Sequence, residues 1–192
     1  MELKRIKGKR PRLRLIRCDS CHKISFGTVM IVAAPEDVPP FMVDAVAAEE
    51  DTFLALSAKP KACENNEHPI RMMTKVFELR PEAPGKILVK GRNPLQFLAI
   101  VHDLNREPSW KEEWISSALE EIFREAECRR ISSLALPMLG TRHGSLESEC
   151  FLMLLRNALE QNPPKNLKRI WLIIPQEGNL SILEIFKTLF LP

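Results

Sequence analysis

"ISSLALPMLGTRHGSLESECFLMLLRNAL", Ile131 to Leu159, is the stretch from which the rest of the chain can be read. A short run of small and branched apolar residues ends at Pro137. A loop containing Gly140 and Gly144 follows, and then an amphipathic segment with apolar residues at helical spacing. Strand, glycine loop and helix in that order can form an anion site, because glycines let backbone N–H groups approach a phosphate while the next helix presents its positive end. Glycines at such a place equally serve only to turn the chain.

Outward from this unit the same alternation continues. "GTVMIVAAP", Gly27 to Pro35, reads as a strand buried on both faces, which implies a parallel interior sheet. "FMVDAVAAEEDTFLALSA", Phe41 to Ala58, reads as a first helix, and the polar, proline-bounded segment Lys59 to Pro69 as a loop. Ile70 to Arg80, Lys86 to Gly91 and Leu95 to Leu104 read as strands, the last ending near His102 and Asp103. A helix follows over Pro108 to Arg130, with Ser109 as its cap and Glu112 three residues on. Beyond the central unit, Asn166 to Pro175 reads as a strand and Asn179 to Phe190 as a closing helix. Near the start, Arg12 to Arg17 alternates like a half-buried strand. The expected architecture is α/β, a three-layer α/β/α domain on a mixed, mostly parallel central sheet.

Composition narrows the function classes. The 192 residues can bury one substantial core, and no apolar run reaches the length of a bilayer span. Of the 28 basic and 25 acidic residues, eight and one fall in Met1 to Arg17, leaving 20 and 24 in a mildly acidic body. Residues 1–10 therefore read as a basic arm preceding a domain over 11–192, either a solvated tail or a nucleic-acid contact through phosphates. Cys18-x-x-Cys21-His22 has the spacing of a haem, metal or disulfide motif. The residues before it lack an export signal, and Cys63, Cys128 and Cys150 offer no second close pair, so neither haem nor zinc is expected. Five scattered cysteines read as reduced thiols in a cytoplasmic protein with no metal or other cofactor.

The Ile131–Leu159 unit resembles the second phosphate-binding loop of the macrodomain family, in which a strand ending in proline leads into a G-T-G-x-G-type loop and a helix. The resemblance extends over most of the chain. "LRLIRCDSCHKISFGTVMIVAAPEDV" is similar to the family's opening strand, G-D-I-type turn and buried strand with an A-A-N-type end, and "FLAIVHDL" is similar to its V-I-H strand. It implies a module binding ADP-ribose or a related adenine nucleotide diphosphate. Asp19 is then the adenine acceptor, and Gly140, Thr141, Arg142, His143, Gly144 and Ser145 are the phosphate loop, with Ala34, Glu36 and His102 as further contacts. It also implies an ADP-ribosyl hydrolase as an alternative, with Glu36, Asp37, His102 and His143 as candidate groups to orient or deprotonate water. A third reading, from another class, is a nucleic-acid or protein interaction module that uses the basic arm. The chain departs from the family pattern in several places. Cys18 and Ser20 flank the aspartate, Ala33 and Glu36 stand for two asparagines, and "EDVPPFM" replaces a first glycine-rich loop. Arg142 stands for the middle glycine of the second loop, and "IIPQEGNLS" lacks an aromatic residue. Arg142 can either contact a phosphate or fill its space.

Overall fold

Parallel strands buried on both faces need continuous apolar sequence, and three segments of this chain provide it. In the computed structural model, which describes residues 21–40, 42–56, 80–175 and 179–191, these are β2 (Val29–Pro35), β5 (Leu95–His102) and β6 (Ser133–Pro137). With β1 (His22–Phe26), β3 (Ala45–Asp51), β4 (Ile87–Lys90) and β7 (Arg169–Ile174) they form one sheet in the order β1-β2-β7-β6-β3-β5-β4. The five inner strands run parallel, and β1 and β4 pair antiparallel to β2 and β5. Three helices complete the described residues: α1 (Glu112–Cys128), α2 (Ser148–Gln161) and α3 (Asn179–Phe190). They pack side by side, α1 against β4 and β5, α3 against β1, and α2 between its two neighbours.

Helical spacing explains the inner faces. Ile115, Ala118, Leu119, Ile122 and Ala126 of α1 are fully buried, as are Phe151, Leu152 and Leu155 of α2 and Phe186 of α3. All belong to one apolar core with the sheet. The expected α/β fold with a mixed, mostly parallel sheet is the fold observed.

Three local expectations are corrected. The helix expected over Phe41 to Ala58 is not found among its described residues 42–56: Ala45–Asp51 is β3, paired along its length with β5 and at Ala45 and Val46 with β6. Alanine and glutamate favour helix by only fractions of a kcal/mol, and pairing between two strands overrides so small a preference. Ser109 does not cap α1, whose N-terminal flank is Lys111 with no side-chain cap. Ser109 is committed elsewhere, its carbonyl accepting the Asp103 N–H at 2.7 Å beside the bridge between His102 and Trp110. Cys21 is disulfide-bonded, so the five thiols are not all reduced; Cys128 and Cys150 are free. Cysteine spacing is compatible with either state, and only the approach of two thiols in space decides between them. Asp19, the basic arm, the Arg12–Arg17 strand and nearly all of the Lys59–Arg80 segment lie outside the described residues.

The start of β3 is fastened by Asp44. Its Oδ2 accepts the Ser132 N–H at 2.9 Å, the Ser132 hydroxyl at 2.7 Å and the Ser133 N–H at 2.9 Å, which ties β3 to β6. Burial pushes the Asp44 carboxyl up, but the hydrogen bonds from Ser132 and Ser133 outweigh it and leave the group below its ordinary value of 3.8. A depressed carboxylate stabilises the fold at neutral pH and loses that contribution as pH falls through the folded value. Asp44→Asn should therefore melt below the unmodified protein at pH 7. The two melting temperatures should converge as pH drops below 3.8; a gap independent of pH would contradict this role.

Candidate functional site

The carboxyl ends of β2, β7, β6 and β3 open into one cleft of about 670 Å³, lined by Glu36, Ala47 to Glu49, Leu56, Pro137, Met138, Thr141 to His143, Ile173 and Pro175. Ligands in open α/β sheets characteristically sit outside the carboxyl ends of the strands, and the volume suits a nucleotide-sized molecule.

Small side chains make the floor. Ala47 and Ala48 of β3 leave room above the sheet, and Glu49 follows them into the cleft. Glu49 is almost wholly buried and held from two sides: its Oε1 accepts the Gly140 N–H at 2.8 Å, and its Oε2 lies 3.2 Å from His102 Nε2. His102 is itself 1% exposed, and its ring meets that of His143 edge to face with centroids 6.2 Å apart.

One rim is the loop after β6. Gly140 takes φ +79°, a left-handed conformation that an L side chain rarely adopts, and its carbonyl accepts the Leu146 N–H to close the loop. Thr141 caps the end of β6 through its hydroxyl, which donates to the Met138 carbonyl at 2.7 Å. Arg142 reaches across the end of β7 to Glu36, Nη1 to Oε1 at 2.8 Å. The opposite rim is the turn after β3. There the buried Asp51 carboxylate accepts N–H groups from Phe53, Ala55 and Leu56 at 2.6 to 3.0 Å and so places Leu56 on the cleft.

Of the residues singled out in the sequence, Glu36, Thr141, Arg142 and His143 line this cleft. Gly140 borders it through its bond to Glu49, and His102 stands behind Glu49. Ala34 is fully buried, paired with Ile173 of β7, and is not a lining residue. Gly144 and Ser145 face Trp110, whose indole N–H donates to the Ser145 hydroxyl at 3.2 Å. Asp37 is exposed and outside the lining. Sequence reasoning missed Ala47, Ala48, Glu49 and Asp51 by reading their segment as a helix. A signal was present: Glu49, Glu50 and Asp51 bunch at the end of an apolar run, whereas a surface helix spreads its acids along one face.

No family model matches the chain, and no curated relative matches it. Solved structures do. The chain is similar to the Oceanobacillus iheyensis macrodomain with ADP at 11% identity and TM-score 0.64, covering 88% of this chain and 95% of that one. It is also similar to the macrodomain of Thermus aquaticus DarG, at 22% identity and TM-score 0.55, over 76% and 99% of the two chains. The macro domain of ganglioside induced differentiation associated protein 2 matches at 11% identity and TM-score 0.57, over 84% of each chain. This chain therefore has the macrodomain fold, in a sequence far diverged from those of its structural neighbours. No helix among its described residues is long and apolar enough to cross a membrane.

Proposed function

We propose that the cleft binds ADP-ribose or a related adenine nucleotide diphosphate, with Arg142 as the cation that meets the phosphates. The observation that carries this reading is the placement of Arg142 at the mouth of a nucleotide-sized cleft, on the loop after β6. Its partner there is Glu36, and the two side chains are 69% and 45% exposed. So exposed a pair is weak and exchanges partners at little cost, whereas a phosphate gives the guanidinium a charge-assisted, two-pronged acceptor. The O. iheyensis macrodomain has been solved with ADP and, as a glycine-to-valine mutant, with ADPR, which supports a nucleotide ligand for the same fold.

Calorimetric titration with ADP-ribose, ADP and AMP tests the reading. Arg142→Ala should weaken ADP-ribose binding about tenfold or more, the value of a hydrogen bond to a charged group. Glu36→Gln should strengthen it a few-fold by releasing the guanidinium. If Arg142→Ala instead strengthens binding, the side chain fills the cleft and the phosphate-contact assignment is wrong. A protein that binds none of the three ligands at millimolar concentration, with or without these substitutions, would not be a nucleotide module.

A further inference from the structure

We propose that the Glu49 carboxylate is an internal occupant of the anion position of the Gly140 loop, and that it sets how much negative charge the cleft admits. The inference deepens the nucleotide reading of the cleft and rests on it. A glycine loop that follows a strand offers successive backbone N–H groups to an anion, the left-handed residue's among them. Here the Gly140 N–H, at the floor end of the loop, is already engaged at 2.8 Å by Glu49 Oε1.

The carboxylate is not free to swing aside. His102 Nε2 sits 3.2 Å from its other oxygen, and both side chains are buried, at 6% and 1% exposure. Glu49 nevertheless lines the cleft, so a ligand group approaching the loop meets a fixed carboxylate rather than an open N–H. Among the lining residues the acidic side chains are Glu36 and Glu49, against the single guanidinium of Arg142. A phosphate pressed toward the floor is opposed by a like charge that the buried site screens poorly. The geometry thus leaves the diphosphate at the mouth beside Arg142. The floor is left for uncharged, hydrogen-bond-donating parts of the ligand, such as sugar hydroxyls, which the remaining lone pairs of Glu49 can accept.

The test compares ADP-ribose with adenosine, which carries no phosphate, on the unmodified protein, Glu49→Gln and Glu49→Ala, with melting temperatures measured for all three. Removing the charge should tighten ADP-ribose about tenfold or more while adenosine changes by less than about threefold. In the unmodified protein the Gly140 amide resonance should stay in place on addition of ADP-ribose, and in Glu49→Ala, which leaves the N–H without its acceptor, it should move. Folded variants that bind ADP-ribose no tighter, or that gain equally for adenosine, would overturn the assignment while leaving the nucleotide reading intact. So would a Gly140 amide that shifts with ADP-ribose in the unmodified protein, a measurement that does not depend on the variants folding. If ADP-ribose binds neither the unmodified protein nor any folded variant, the nucleotide reading itself falls, and this assignment with it.

Discussion

Asp51→Ala should lower the stability of the protein by about 3–5 kcal/mol, the largest effect expected of any single change around the cleft. Asp51 is fully buried at the end of β3, and three N–H groups converge on its carboxylate: Phe53 on one oxygen, Ala55 and Leu56 on the other. Its own carbonyl accepts the Leu54 N–H at 3.0 Å, and Leu54 is held at φ +59°. Such a conformation persists in a non-glycine residue only where the surroundings over-determine it. Truncation leaves three donors with no acceptor and releases the turn that carries Leu56 to the cleft. For a chain of this size the melting temperature should fall on the order of 10 °C. Asp51→Asn keeps one acceptor oxygen but turns an amide donor toward the N–H groups served by the other, so it should fall between. An Asp51→Ala protein that melts within about 2 °C of the unmodified one would show that the turn is held by other contacts.

Gly144→Val should cost about 2–4 kcal/mol, through packing rather than through a ligand. A Cβ at Gly144 would stand 2.5 Å from the Gly140 carbonyl oxygen and 2.6 Å from Trp110 Cδ1. Neither neighbour can yield easily: one is backbone in the tight loop, and the other belongs to a ring that bonds Ser145 and follows the bridge to His102. The family resemblance places this glycine in a phosphate loop, where a new side chain would obstruct a phosphate. The structure points to displacement of Trp110 and of the whole loop. Thermal melting and tryptophan fluorescence distinguish the two, since displacement changes both in the absence of any ligand. Unchanged melting and fluorescence, together with lost ADP-ribose affinity, would restore the phosphate account. Gly144→Ala meets the same two atoms and should show a reduced version of the effect.

What could be read from the chain follows from how local each signal is. β2, β5 and β6 announce themselves because a strand buried on both faces must be apolar throughout, and α1, α2 and α3 because burying one helical face imposes a period of 3.6. The loop after β6 was legible for the same reason: a strand, two glycines and a helix are contiguous in sequence. Glu36 and Arg142 could each be singled out, but nothing in the sequence pairs residues 106 positions apart into one ion pair at a cleft mouth.

By itself, then, the sequence determined the α/β class, the parallel interior of the sheet and the place of the glycine loop, since each depends on neighbours along the chain. Tertiary structure alone decided the identity of β3 and everything that β3 carries. Ala45–Asp51 has the composition of a helix and becomes a strand because β5 pairs with it along its length and β6 at its first two residues, a condition that exists only once the sheet has assembled. With β3 in place, Glu49 comes to the Gly140 N–H across 91 positions of sequence and His102 across 53. The loop that looks from its glycines like an open anion site thereby meets a carboxylate of the chain itself.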